Sequence, residues 1–325
     1  MKLASIMDYA LPLTLGLSTP LYAAPISAPL QNILKNTDRS PLYRYPTDLT
    51  RGIIPIPAHS HNDYWRDIPF YSALSAGCIS VEADVWLYDD ALLVGHDESS
   101  LTESRTLQSL YIDPILDVLH RQNPSNPYLS EPTRNGVFDT SRSQTLYLFI
   151  DIKSPGPETW PHVVSALQPL RDAGYLTTVT NNKTLTPGPV TVIGTGNTPL
   201  DQIISAADRD YFFDAPLAEM VDDETGSKWS PLISPIASTS LEATVGQVAM
   251  ASSEDGEEQQ SLLNSTQLNT LRQQINAAKA RGIGARYWQT PSWPVRLRNG
   301  VWRTLLREGV ALLNADDLDA LGGYF

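Results

Sequence analysis

Cysteine is almost absent from this sequence. Of 325 residues, only Cys78 is a cysteine, so the chain can form neither an internal disulfide nor a zinc site built on several thiolates. The fold must therefore be stabilised by a hydrophobic core. With 42% hydrophobic and 18% charged residues, the chain is apolar and long enough to build one, as one large α/β domain or two ordinary domains.

Basic residues are also scarce. The 23 Lys and Arg stand against 36 Asp and Glu, which gives a formal net charge of -13. Binding the polyanionic backbone of a nucleic acid requires clustered cations, and the sequence contains no such cluster. We therefore expect no nucleic-acid partner, and cationic or metal-bridged ligands fit the charge better.

Long apolar runs are missing beyond the N-terminus, so we expect no membrane-spanning helix in the mature chain. The leader at residues 1–24 has a basic start at Lys2 and small residues at Ala23 and Ala24, which are typical of a signal peptide. Asp8 is atypical of one, and a disordered leader is the alternative. A mitochondrial presequence would be rich in Arg, which this segment lacks. We expect the secretory pathway first and mitochondria second.

From residue 53 onward, short apolar runs alternate with longer segments of helical spacing, several of which end in Gly before the next run. This alternation predicts βαβ units, and eight such units over about 270 residues match a (β/α)8 TIM barrel. A doubly wound open sheet is the alternative, but no G-x-G-x-x-G loop supports it. We expect an extension at residues 25–52 and a single barrel domain at 53–325, with solvated insertions at 121–144 and 251–260. The predicted strands are GIIPIPAHSH, CISVEADVWL, TLYLFIDIK, PVTVIGT, DYFFDAP, PLISPIAS, GIGARYWQT and GVALLNAD.

Three carboxylates occur near the ends of two predicted strands. In SVEADVWL, Glu82 and Asp84 share one strand face, and in LYLFIDIKS, Asp151 and Lys153 do the same. Burying adjacent ionised carboxylates requires a compensating cation. Three oxygen ligands at neighbouring strand ends therefore predict a site for Mg²⁺ or Ca²⁺. Structural ion pairs with Arg or Lys are the alternative.

Three of the five histidines fall at predicted strand ends. His59 and His61 close the first strand, and His96 follows the short apolar run ALLV. Because histidine titrates near neutrality, two of them on opposite sides of a reacting centre can serve as general base and general acid. No other polar residues converge on His120 or His162, and we expect both to be structural.

Together these motifs resemble the phospholipase C-like phosphodiesterase superfamily, which includes glycerophosphodiester phosphodiesterases and sphingomyelinase D type phospholipases. The shared pattern is a strand ending in His, then ExD, then VGHD, then a strand ending in DIK. More specifically, the sequence is similar to the fungal altered inheritance of mitochondria protein six family. The motifs that carry this similarity are HSHNDYWR, SVEADVWL, VGHD and RTLQSLY, followed late in the chain by RYWQTPSWP and LLNADDL. The resemblance covers residues 53 to about 322.

The resemblance implies a metal site and a phosphate contact. Glu82 and Asp84 match the ExD metal ligands, and Asp151 matches a third carboxylate ligand of the sphingomyelinase D branch. Lys153 matches the lysine beside it that contacts phosphate.

The resemblance also implies catalytic and substrate-binding roles. His96 matches the second catalytic histidine. The first stays open between two residues, because His59 aligns with the family's AHRG motif whereas the spacing to the metal motif favours His61. Asn62 and Trp288 match residues of the substrate site.

The chain departs from the glycerophosphodiesterase pattern at its HRG motif, where Ser60 and His61 replace the Arg and Gly. This departure leaves the headgroup open. The prediction is a metal-dependent phosphodiesterase that uses histidine acid and base catalysis on a glycerophosphodiester, lysophospholipid or sphingolipid, with peripheral membrane contact.

Two other functions compete with this prediction. One is a catalytically silent TIM barrel that binds a phospholipid or a polyol phosphate. The other is a glycoside hydrolase, which requires two carboxylates on opposite sides of a cleft. Glu82 and Asp84 lie on one strand face instead, so we rank the hydrolase last.

Overall fold

The computed structural model describes residues 27–37, 40, 42–43, 45–222, 228–248 and 262–325. The chain divides into two compact units, Met1–Tyr45 and Pro46–Phe325. The first unit contains one described helix, Ala28–Thr37 (α1), which the sequence did not predict. The predicted leader and the acidic insertion at residues 251–260 lie outside the described residues.

The second unit is built around one large sheet. Its described part contains a ten-stranded sheet and a separate two-stranded antiparallel sheet. The strands, in chain order, are Ile56–Ser60 (β1), Cys78–Tyr88 (β2), Ala91–Val94 (β3), Leu146–Ile152 (β4), Thr178–Thr180 (β5), Thr184–Thr186 (β6), Val190–Gly196 (β7), Tyr211–Phe213 (β8), Ala215–Pro216 (β9), Ile236–Ser240 (β10), Gly284–Trp288 (β11) and Leu312–Ala315 (β12).

Nine parallel strands of the large sheet form a nearly closed barrel, in the order β8-β7-β4-β2-β1-β12-β11-β10-β9. β8 and β9 are consecutive pieces of chain on either side of Asp214, and they pair with β7 and β10 respectively. They therefore share one position in the barrel. This architecture confirms the predicted TIM barrel, and each of the eight predicted strand segments overlaps a barrel strand.

Two elements were not assigned as strands from the sequence. β3 pairs antiparallel with β2, and β5 and β6 form an antiparallel hairpin.

The described α-helices of this unit are Pro69–Ser75 (α2), Asp113–Gln122 (α3), Gly156–Ala166 (α4), Gln168–Asp172 (α5), Leu200–Ser205 (α6), Leu241–Thr244 (α7), Ser265–Ala280 (α8), Val295–Glu308 (α9) and Leu318–Gly322 (α10). Five segments with helical spacing in the sequence overlap them: DIPFYSALSAG overlaps α2, TLQSLYIDPILDVLHRQ overlaps α3, ETWPHVVSALQPLRDAG overlaps α4 and α5, STQLNTLRQQINAAKARG overlaps α8, and VRLRNGVWRTLLREG overlaps α9. A capping box formed by Asn264 and Gln267 begins α8. α9 ends at Gly309 in the left-handed conformation. Within the described ranges, no helix has the length and apolar character needed to cross a bilayer.

The alternation along β2 shows how the barrel separates its core from its site. Val81, Ala83 and Val85 are fully buried and belong to the hydrophobic core. Glu82 and Asp84 lie on the other face of the strand, where they line a cavity. Because all the barrel strands are parallel, their carboxyl ends meet at one end of the barrel, and polar residues from distant parts of the chain converge there.

Candidate active site

A cavity of about 640 Å³ opens at the carboxyl ends of the barrel strands. Every predicted site residue except His59 lines it. His120 and His162, which we expected to be structural, are not among its lining residues.

Three carboxylates form a cluster in this cavity. Parallel pairing of β2 with β4 sets Asp84 directly beside Asp151, and Glu82 lies one layer deeper on the same face of β2. One oxygen from each of the three residues lies within 4.8 Å of the others. Glu82 and Asp84 are almost completely buried. This oxygen-only set is of the kind that holds a hard divalent cation.

Lys153 is the nearest cation to this cluster. Its Nζ lies 2.7 Å from Asp151 Oδ2 and 3.3 Å from Asp84 Oδ2. Even so, burial and the neighbouring Glu82 raise the pKa of Asp84 to about 6, and the same two causes raise the pKa of Asp151. One lysine therefore leaves the negative charge of the cluster incompletely compensated, and these residues fit a divalent cation.

Glu82 is surrounded by basic groups. Its Oε2 lies 3.5 Å from His61 Nε2 and 3.6 Å from His59 Nε2, and its Oε1 lies 3.7 Å from Arg286 Nη2. Burial by itself would raise the pKa of Glu82, but His61, His59 and Arg286 together hold that pKa well below its usual range. Glu82 is therefore ionised at neutral pH.

The two histidines at the end of β1, His59 within the strand and His61 directly after it, occupy different environments. His61 borders the cavity, its Nδ1 lies 2.7 Å from Asp316 Oδ1, and Asn62 donates to the same oxygen at 2.9 Å. His59 is fully buried, with its Nδ1 2.7 Å from Ser80 Oγ. Burial, and to a smaller extent the positive charge of Arg286, lowers the pKa of His59 to about 3, so its ring is neutral at pH 7.

His96 approaches the cluster from another side. Its side chain is 57% exposed and its Nδ1 lies 3.2 Å from Asp84 Oδ2. The ring stacks on Tyr64 with centroids 5.2 Å apart. The β2–β3 hairpin brings this histidine back to the carboxylates, because Gly95 N donates to Asp84 O at 3.1 Å.

Three charged residues of the cavity were missed from the sequence: Asp214, Arg286 and Asp316. Each interrupts or ends an apolar strand segment, in YFFDAP, GARYW and LLNAD. Arg286 is two residues before Trp288 and shares its strand face. A charged residue within an apolar strand segment could therefore have been used to predict these three cavity residues from the sequence.

The barrel and the charged cluster at its carboxyl end define the phosphodiesterase-like class of TIM-barrel proteins. Comparison with known proteins agrees, since the family described as "AIM6-like phosphodiesterase domain" matches residues 47–214. The chain belongs to the altered inheritance of mitochondria protein 6 family, which confirms the resemblance predicted from its motifs.

Several fungal relatives support this membership. The chain is 63% identical over 308 residues to the altered inheritance of mitochondria protein 6 homolog of Arthroderma benhamiae, covering 93% of this chain and 94% of that protein. It is 36% identical to the protein of Lachancea thermotolerans, over 83% of this chain and 66% of the longer relative. The Saccharomyces cerevisiae protein is 34% identical, over 83% of this chain and 71% of that one.

Proposed function

We propose that this protein is a metal-dependent phosphodiesterase acting on a small-molecule or lipid phosphodiester, such as a glycerophosphodiester, a lysophospholipid or a sphingolipid. The observation that carries the proposal is the convergence in one cavity of three carboxylates, a lysine and two histidines. The phosphodiesterase domain recognised over residues 47–214 supports the general activity.

In this proposal, Glu82, Asp84 and Asp151 hold Mg²⁺ or Ca²⁺. Bound there, the ion would offset negative charge on the nonbridging phosphate oxygens. Lys153 supplies a second positive contact for those oxygens. The same lysine lies within hydrogen-bonding distance of Asp151 and Asp84, so it is already oriented by the cluster it would help to neutralise.

His61 is the better candidate for the general base. Asp316 accepts a hydrogen bond from His61 Nδ1, which orients the ring so that Nε2, 3.5 Å from Glu82 Oε2, is the nitrogen left to act on a ligand. In the reaction, Nε2 takes the proton of the attacking hydroxyl as the new P–O bond forms. His59 is unsuited to this role because it is sealed in the core.

His96 is the candidate general acid. Its Nδ1 faces Asp84, and we assign Nε2 to the leaving oxygen. As the second P–O bond breaks, His96 transfers its proton to that oxygen, so one proton enters the protein at His61 and one leaves at His96.

Aromatic side chains suit the apolar part of such a substrate. Tyr64 and Trp288 line the cavity, with aromatic faces that can pack on acyl or alkyl groups. Trp65 and Trp293, in the loops that follow β1 and β11, are 56% and 74% exposed. Contact of these loops with a lipid surface forms part of the proposal.

The compartment is part of the proposal as well. The names of the relatives refer to mitochondria and give no support to the secretory destination that the leader suggested. We therefore place a mitochondrial association first, which a fluorescent protein fused to the C-terminus and co-localised with a mitochondrial marker would test.

The decisive experiment measures product release from a panel of glycerophosphodiesters, lysophosphatidylcholine and sphingomyelin, with Mg²⁺, with Ca²⁺ and with EDTA. We expect turnover that requires the ion, disappears in Glu82→Gln and falls by about 10²–10⁴-fold in His96→Ala. His120→Ala, a histidine outside the cavity, serves as the control and should retain activity. A wild-type protein that binds the ion but releases no product would favour the silent barrel that binds a phospholipid or a polyol phosphate.

A further inference from the structure

Arg286 is a permanently charged group in the lining of the cavity. It lies on the inner face of β11, two residues before Trp288, and its side chain is only 3% exposed. Even so, it belongs to the cavity lining. Burying an arginine costs desolvation free energy unless nearby groups compensate its charge. The groups around Arg286 therefore indicate its role.

Two hydrogen bonds and one ring contact orient the guanidinium. Nε donates to Asn314 Oδ1 at 3.0 Å, and Nη1 donates to Ser238 Oγ at 3.3 Å. The Phe149 ring packs against the guanidinium plane, with its centroid 5.1 Å from Cζ. Nη2 makes no hydrogen bond to any of the described residues, and its nearest carboxylate oxygen, Glu82 Oε1, is 3.7 Å away.

Structural arginine pairs elsewhere in the molecule are much closer. Arg171 Nε lies 2.5 Å from Asp210 Oδ2, and Arg298 Nη1 lies 2.8 Å from Asp317 Oδ2. Arg286, by contrast, lies 3.7 Å from one carboxylate and 3.9 Å from the other, Asp214. The guanidinium is therefore oriented by neutral partners, and its Nη2 donates no hydrogen bond to the described residues. An arginine whose sole role is to pair with a carboxylate would instead donate to that carboxylate.

The first strand offers a reason for a guanidinium at this position. Ser60, the residue between the two histidines, donates its hydroxyl to buried Asp63. The strand that carries the histidines thus brings no guanidinium to the cavity, whereas β11 does.

We propose that Arg286 binds the phosphate group of the substrate together with Lys153. This inference rests on the proposed phosphodiesterase function and adds a phosphate-binding residue to it. The planar guanidinium offers donors matched to two oxygens of one phosphate, and Lys153 acts as a point charge beside the carboxylates.

The test is calorimetric titration with inorganic phosphate, in EDTA and again with Mg²⁺, of wild type and Arg286→Lys. The lysine keeps the positive charge near Glu82 and Asp214 but removes the planar fork, so we expect a similar melting temperature and phosphate binding weaker by about tenfold or more. KM for any phosphodiester that turns over should rise in parallel. Arg209→Lys is the matched control, because Arg209 is also buried but lies outside the cavity lining.

A second variant guards against misfolding of the first. Asn314→Ala leaves the guanidinium in place and removes only the acceptor that orients Nε, so it should weaken phosphate binding to a smaller extent. A role limited to charge compensation would change the melting temperature and leave phosphate affinity unaltered.

Two results would overturn the inference: equal phosphate affinity in wild type and Arg286→Lys, or no phosphate binding by wild type under either condition. Its failure is separable from failure of the proposed function. Phosphate binding that depends on Arg286, without turnover of any diester, would reject the proposed phosphodiesterase activity but support phosphate binding by Arg286. Turnover with unchanged KM and phosphate affinity in Arg286→Lys would support the activity but reject the role of Arg286.

Discussion

His59 and His61 have the same side chain, but a difference of one layer in the barrel gives them different environments. His59 lies in β1 and His61 directly follows its last residue, where His61 N still donates to Ala315 O, so the two side chains, two residues apart, point to the same side. His59 is enclosed beside Ser80 and Phe149. His61 borders the cavity and contacts Asp316. Depth in the barrel, which the sequence does not report, therefore decides which ring can exchange a proton with a ligand.

The first prediction separates these two histidines. His61→Ala should lower kcat by about 10²–10⁴-fold with little change in stability. His59→Gln should lower the free energy of unfolding by about 1–3 kcal/mol, because it disturbs a packed and hydrogen-bonded site. Steady-state kinetics and urea unfolding of both variants measure the two effects. A His59 variant of normal stability that lacks turnover would assign the base to His59 instead.

The second prediction concerns the pH dependence of stability at Asp214. Burial raises its pKa from 3.8 to about 6, so the charged form is disfavoured in the folded protein. The stability this gives is present below pH 3.8 and is lost as the pH rises through about 6. Asp214→Asn, which resembles the protonated form, should raise the free energy of unfolding at pH 7 by up to about 3 kcal/mol. At about pH 4 it should have little effect.

Asp316 is the control for this measurement, because its pKa is shifted in the opposite direction from that of Asp214. Burial opposes ionisation of Asp316, but the hydrogen bond and charge of His61, together with Asn62 and Arg66, outweigh it and lower the pKa. Its stabilising contribution is present at neutral pH and is lost as the pH falls through the lowered pKa. Asp316→Asn should therefore destabilise the protein at pH 7, and less so in acid. Urea unfolding at several pH values tests both variants, and effects of the same sign at pH 7 would contradict the assignment.

At the scale of elements, the strand ends set the positions of the carboxylates. β4 lies between β2 and β7, and its Asp151 pairs with Asp84 on one side and with Thr195 on the other. The next residue of β7, Gly196, has φ +62°, and a Cβ there would lie 2.0 Å from Asp151 Oδ1 and 2.7 Å from Ile152 O. This glycine therefore provides the room that Asp151 occupies.

The third prediction follows from this close approach. Gly196→Ala should displace Asp151 and destabilise the protein by more than the strain of a positive φ, which is about 1–2 kcal/mol. Gly309→Ala is the control, because Gly309 also has a positive φ, +92°, but has no atom within 4 Å of its added Cβ. Thermal melting and metal titration of both variants measure the difference. Equal losses of stability with unchanged metal affinity would show that Gly196 is not needed to place Asp151.

At the scale of the whole molecule, charge links the site to global stability. The chain carries a net charge of -13. Among the described residues, five carboxylates but only two permanent cations, Lys153 and Arg286, line the cavity. Those carboxylates are Glu82, Asp84, Asp151, Asp214 and Asp316. Ligands that bring positive charge should therefore bind the folded state preferentially.

The fourth prediction is stabilisation by a divalent ion. Mg²⁺ or Ca²⁺ at about 100 times its Kd should add about 2.7 kcal/mol to the free energy of unfolding, and thus raise Tm. Asp151→Asn should abolish the shift, whereas Asp201→Asn, an exposed carboxylate outside the cavity, should preserve it. Melting curves with each ion and with EDTA provide the measurement. A Tm shift that survives in Asp151→Asn would place the ion elsewhere.

The sequence by itself determined the barrel and most of its charged centre. Alternating apolar runs and helical segments predicted the strands, because burial against helices imposes an apolar face that repeats every second residue. The motifs around Glu82, His96 and Asp151 predicted which residues would share the cavity. Local patterns sufficed here because these residues lie on β2, on β4 and in the short segment after β3.

Only the tertiary structure decided which groups complete that centre. Barrel closure sets β12 beside β1 and β11 beside β12. This brings Asp316 into contact with His61 and places Arg286 Nη2 3.7 Å from Glu82 Oε1. These contacts span more than 200 residues of sequence, so no local pattern encodes them. Their distances, and the burial and neighbouring charges that together set the pKa of Glu82 and Asp316, exist only once the barrel has closed.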